Sequence, residues 1–82
     1  MKNVAIMAII VENRDSVEKI NSILHEYREF IIGRMGLPYS EKNISIISII
    51  LDAPKDKIDE LSAKIGEIQH VKSNTLYSVS YT

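Results

Sequence analysis

Two runs of this chain, Val4–Val11 and Ile44–Leu51, are apolar on both sides of an extended strand. In the first, Val4, Ile6, Ala8 and Ile10 alternate with Ala5, Met7, Ile9 and Val11. In the second, Ile44, Ile46 and Ile50 share one side and Ile47, Ile49 and Leu51 the other. Successive side chains of a strand point to opposite faces, so both faces of both strands must leave water. Strands of this kind lie in the middle of a sheet and are covered on both sides.

Between them the period changes from two to about 3.6. Val17, Ile20, Leu24, Tyr27 and Ile31 fall three and four residues apart, and Ile23 and Phe30 widen the stripe. The other positions, Glu18, Lys19, Ser22, Glu26 and Glu29, are polar, which predicts an amphipathic helix with its stripe toward the core. Asn13–Ser16 carries the turn, Asp15 and Glu18 have capping-box spacing, and the helix is expected to end by Gly33. Ile31–Leu37 is broken by Gly33 and Gly36 with Pro38 behind it, the composition of an edge strand. Pro38–Asn43 predicts a polar hairpin connection. Asp52-Ala53-Pro54 is expected to stop the second apolar strand, with Pro54 in the first turn of a helix. That helix buries Ile58, Leu61, Ile65 and Ile68, pairs Glu60 with Lys64 on its surface, and stops near Gly66. Thr75–Thr82 then alternates, with Tyr77, Val79 and Tyr81 opposed to Ser78 and Ser80.

The order is β-α-β-β-α-β, which predicts one α+β domain over residues 1–82. Its architecture is a ferredoxin-like sandwich, a four-stranded antiparallel sheet with two helices on one face. In that topology the first and third strands are central, and here they are the ones apolar on both sides. One layer of helices dresses one face, so a second copy is expected to cover the other, giving a homodimer or homotetramer. Either face of the central strands fits under the helices. Met7, Ile47 and Ile49, with Tyr39 at the hairpin, are the candidate interface residues.

The 82 residues are 45% hydrophobic and 26% charged, an ordinary globular composition. A chain this short is near the size where a single core barely suffices, and oligomerisation is a usual remedy. Ten basic and eleven acidic residues give a net charge of −1 without a Lys/Arg cluster, so direct nucleic-acid binding is not expected. There is no cysteine, which removes disulfides and thiolate chemistry and fits a cytoplasmic location. The apolar run after Met1-Lys2-Asn3 meets Glu12-Asn13-Arg14-Asp15 where a signal peptide needs small residues, and it is too short to span a bilayer. No membrane association is expected.

The segments Leu24-His25-Glu26-Tyr27, Ile31-Ile32-Gly33-Arg34-Met35-Gly36-Leu37-Pro38-Tyr39, Ile44-Ser45-Ile46-Ile47-Ser48-Ile49 and Leu61-Ser62-Ala63-Lys64-Ile65-Gly66 carry a family resemblance. Through them the whole chain resembles the iron-only hydrogenase system regulators. These are stand-alone domains related to ACT-like effector domains and to the C-terminal domain of the nickel-responsive regulator NikR. The resemblance implies a regulator that assembles through its sheet and binds a small effector near a subunit interface. The nickel-responsive relatives bind metal through histidines and a cysteine. Here there is no cysteine, and His25 and His70 lack the spacing of a metal motif. Neither a metal nor another cofactor is expected within one copy, and a site shared between subunits, where symmetry brings single histidines together, stays open.

Arg34, a lone cation between Gly33 and Gly36, suits bidentate capture of a carboxylate or phosphate; the alternative is an edge-strand arginine in solvent. ACT-like relatives bind effectors near the first strand–helix loop, here Glu12-Asn13-Arg14, residues that also serve as turn and cap. Asp52 suits a ligand group or a helix start, and Tyr77 and Tyr81 suit packing. No nucleophile triad, phosphate loop or metalloprotease string occurs, so an enzyme is not expected. The leading function is an effector-sensing regulatory oligomer, and the alternative is a protein-interaction module that senses nothing.

Overall fold

The computed structural model describes residues 2–78. Strand β1 (Lys2–Val11) leads to helix α1 (Asp15–Glu26) and a 3-10 turn (Arg28–Phe30). Strand β2 (Ile31–Tyr39), a second 3-10 turn (Ser40–Lys42) and strand β3 (Ile44–Pro54) form a hairpin. Helix α2 (Lys55–Gly66) and strand β4 (Val71–Tyr77) complete the fold. The sheet is antiparallel throughout, in the order β2-β3-β1-β4. This is the predicted ferredoxin-like α+β arrangement, with the two doubly apolar strands at its centre.

The core is one cluster in which Ala5, Met7, Ile9 and Val11 of β1 meet Ile47, Ile49, Leu51 and Ala53 of β3. Ile20 and Leu24 of α1 and Ile58, Leu61 and Ile65 of α2 close it from above. The helical stripes therefore pack as their periods require. Tyr27 is buried just beyond α1, where the chain leaves the helix for the 3-10 turn. That turn carries the predicted stripe on to Phe30 and Ile31, which pack against the same core.

Several boundaries differ from expectation. Strand β3 continues through Ala53 and Pro54 instead of stopping at Asp52, and Pro54 pairs with Lys2 at the end of the ladder. Proline fits there because the last strand residue need not donate to the sheet. Its φ of −58° then delivers the chain directly into α2. The capping box of Asp15 and Glu18 does not form: no side chain caps α1 at its N-cap residue, Arg14. Instead the Asn13 carboxamide oxygen accepts from the Asp15 amide at 2.9 Å, an Asx turn one residue upstream. Lys64 reaches across to Glu26 of α1 at 3.6 Å, while Glu60 meets Lys57 at 3.5 Å, so the expected Glu60–Lys64 pair is replaced. All four side chains are solvated, and such pairs contribute little each. Strand β4 starts at Val71 rather than Thr75, because half-buried Val71, Ser73, Thr75 and Tyr77 already alternate with exposed Lys72, Asn74 and Leu76. Val79, Ser80, Tyr81 and Thr82 lie outside the described residues.

The end of β4 is tied to α2 by side chains. The Tyr77 hydroxyl donates to the Asp59 carboxylate. Lys55 pairs with the same carboxylate at 3.0 Å and lies 5.2 Å above the Tyr77 ring. The bond to Asp59 pushes the Tyr77 phenol up to about 12, and the same bond, then Lys55, holds Asp59 below its ordinary 3.8. An unfolded tyrosine ionises near pH ~10. The stability contributed by the raised phenol is therefore whole below that pH and lost as pH climbs through about 12. The lowered carboxyl contributes above 3.8 and loses its contribution as pH falls from there. In thermal unfolding across the alkaline window, the wild type should lose Tm more steeply than Tyr77→Phe. Equal slopes would show that the bond does not couple ionisation to folding.

Candidate functional site

Three surfaces have the shape or chemistry to bind something. The largest is the sheet face opposite the helices. Pairing puts Ile6 beside Ile50 and Leu76, Ile10 beside Ile46, and Leu37 beside Ile46. Val4, Met35 and Tyr39 extend this face, and every one of these large apolar side chains is exposed, Met35 and Leu76 by 70% and 71%. The centre of the face, around Ala8 and Ser48, is uncharged. Charge is confined to its ends: Asp52 pairs with Val4, while Lys72 pairs with Ile10 and lies 3.9 Å from Glu12. The face measures roughly 20 by 25 Å, about 500 Å² in projection, from strand spacing and rise, near the top of what monomers leave bare.

Of the four expected interface residues, only Tyr39 lies on this face. Met7, Ile47 and Ile49 are buried beneath the helices, at 0–4% exposure, and this corrects the sequence reading. The helices took the side of β3 that is unbroken from Ile47 through Ala53. The other side, from Ile44 to Asp52, is interrupted by Ser48 and by Asp52 itself. That difference was the available signal, and it identifies Val4, Ile6, Ile10, Ile46 and Ile50 as the uncovered set.

The second surface is a pocket of about 270 Å³ between α1 and the edge strand β2, lined by Asn21, Leu24, His25, Arg28, Ile31 and Arg34. Its geometry depends on a β-bulge. Ile31 pairs with Leu51 and Arg34 with Ile49, both on the helix side, and the register slips between Ile31 and Gly33. In a regular strand, residues three apart point to opposite faces. The extra residue, Ile32, restores both Ile31 and Arg34 to the helix side. The Arg34 guanidinium donates to the Asn21 side-chain oxygen, and Arg28 donates to the His25 carbonyl at 2.9 Å. Gly36, the next β2 residue on that side, has open space where a Cβ would stand. Gly33 faces Ile50 on the opposite side, and a Cβ there would touch Ile50 at 3.4 Å.

The third surface is a groove of about 510 Å³ where the start of α1 meets the end of α2. Its lining includes Asn13, Ser16, Lys19, Lys64 and His70. Part of its polar lining is engaged by the fold. Ser16 is buried and donates to the Gln69 carbonyl at 3.0 Å. The Glu12 amide donates to the carbonyl of His70, which sits at φ 65°. The candidate effector residues thus separate into two groups. Arg34, with Gly36 beside it, belongs to the β2 pocket, and Asn13 lines the groove while Glu12 and Arg14 do not. His25 and His70 line different surfaces. Among the described residues, no three His, Cys, Asp or Glu side chains gather as a metal cage, and no helix is long and apolar enough to cross a membrane.

The fold and its bare sheet face define a small ferredoxin-like module with one dressed and one undressed side. Residues 3–75 match the TM1266-like family model, described as "Iron-only hydrogenase system regulator, putative". The chain belongs to that family. It is similar to TM1266 of Thermotoga maritima, with a TM-score of 0.91 and 36% identity over 94% of this chain and 98% of that one. It is also 34% identical over 77 residues to a "Putative nickel-responsive regulator" of Saccharolobus solfataricus, covering 93% of this chain and 57% of that protein. A counterpart of the same name in Saccharolobus islandicus is 29% identical over a stretch of equal length. The chain therefore spans a little over half the length of these curated relatives. The divalent ion tolerance protein CutA1 of Ehrlichia chaffeensis shares the fold, with a TM-score of 0.52 at 19% identity.

Proposed function

We propose that this protein is a regulatory module that works as an assembly of identical copies stacked through their open sheet faces. In this reading a small effector favours one packing of the assembly over another. The observation that carries it is the bare apolar face. Stacking two such faces removes about 1,000 Å² of projected surface, the lower bound for a biological interface. A second copy suits the face because its uncharged centre is the same on both partners, as a self-complementary two-fold contact requires. The regulator names of the family and of the Saccharolobus relatives support the functional half of the reading. An effector then acts by differential affinity for the alternative packings.

The test combines sedimentation with thermal unfolding at one protein concentration, against amino acids, nucleotides, adenosylmethionine and divalent metals. The expected result is a mass that is a multiple of 9.3 kDa and at least one compound that raises stability. A ligand at a hundred times its Kd adds about 2.7 kcal/mol, or on the order of 10 °C for a domain this small. A stable assembly that no compound shifts would favour the protein-interaction module, and a monomer would overturn the stacking itself.

A further inference from the structure

We infer that the pocket between α1 and β2 is a binding site for a small doubly charged oxyanion, held by Arg34 and Arg28. This rests on the effector reading above and gives that effector a chemical class.

Four observations converge on it. The lining brings two guanidinium groups and an imidazole together with a carboxamide, and contains no carboxylate. Glu26 and Glu29 line the adjoining surface on the other side of Arg28, outside this lining. Among the described residues the ion pairs all use lysines, so neither arginine is paired with an acid there. Each guanidinium uses an N–H to fix its position, Arg34 on Asn21 and Arg28 on the His25 carbonyl. The rest of each fork is left for a ligand. The bulge at Ile32 is what turns Arg34 toward α1, and bulges commonly re-aim a side chain in this way.

The electrostatics favour an anion despite the nearby end of α1. A helix C-terminus carries about half a negative charge. Arg28 already answers one of its last carbonyls, and both guanidinium groups line the pocket while Glu26 and Glu29 line the adjoining surface beyond Arg28. Leu24 and Ile31 form an apolar floor, and the volume lies just below the range of drug-sized sites. The ligand is therefore small, with its charge at the rim and any short carbon body on the floor. Inorganic phosphate, a phosphoryl group and a short dicarboxylate share this chemistry.

The test is an NMR titration of the isotope-labelled full chain, following backbone amides and arginine side chains. Sodium phosphate and sodium glutarate are the two probes, each at constant ionic strength. The expected result is saturable shifts confined to Asn21, His25, Arg28 and Arg34. Arg34→Ala and Arg28→Ala should each weaken binding about tenfold or more, the effect of losing a hydrogen bond to a charged group. Arg34→Lys should also weaken it, because an ammonium lacks the planar fork, while Lys42→Ala should leave it unchanged. Saturation by phosphate alone would identify a phosphoryl ligand, and by glutarate alone a dicarboxylate. Shifts that never saturate with either probe, or arginine variants that bind like the wild type, would overturn the site. If Arg34→Ala does not fold, Arg34→Lys and Arg28→Ala decide the matter. Sedimentation of the same samples reports assembly separately, so the site can fail while the stacked oligomer stands, and the reverse.

Discussion

Ile6→Glu should convert the assembly to folded monomers. Ile6 lies in the middle of the open face, flanked by Ile50 and Leu76, and its side chain is exposed within one copy. In a single chain the new carboxylate points into water and costs little. Across a stacked pair it would be buried against the partner's apolar face without a cation to meet it, and an unpaired buried charge costs several kcal/mol. A two-fold arrangement imposes that cost twice. Sedimentation should then give a mass near 9.3 kDa, with an unchanged far-ultraviolet circular dichroism spectrum. An Ile6→Glu protein that keeps the wild-type mass would mean that the copies do not meet through this face.

Ile49→Ala should have the opposite signature. Ile49 neighbours Ile50 in sequence but is fully buried, facing Met7 across the sheet with the helices above it. Truncation removes the transfer energy of the lost atoms and leaves a cavity, together costing about 2–5 kcal/mol. Native domains have only about 5–15 kcal/mol in total, and one this small has a correspondingly thin reserve. Denaturant unfolding should show a large drop in midpoint, whereas Ile50→Ala, measured below the association concentration, should be close to wild type. Equal losses at the two positions would mean that the assignment of faces is inverted.

This contrast also shows how far the sequence could be read. Apolar residues on both sides of β1 and β3 marked them as the central strands, and the glycines, proline and serines of the other strands marked the edges. Together these determine the strand order. The side that would meet the helices turned on one serine and one aspartate in β3, a weaker signal than the isoleucines around them, so Met7, Ile47 and Ile49 were placed on the wrong layer. The Arg34 pocket was half legible. The isolated arginine between glycines stood out, but its partners Asn21, His25 and Arg28 lie on α1 and the turn after it. Only the register slip at Ile32 brings them together, and a slip of one residue leaves no mark on an apolar pattern. The Asp15–Glu18 capping box failed for a local reason: Asn13, placed earlier, reaches the helix amide first.

Strand β2 is an outer strand, and exposed outer strands tend to recruit further strands from neighbouring molecules. Ile32 interrupts its ladder near one end and Pro38 removes a donor near the other, so this border offers a poor template for extension. The helices already occupy one layer, and in the proposed stack a twin occupies the other. A pair of copies joined in this way would leave neither sheet layer open and, at the β2 border, a poor template for growth into fibres.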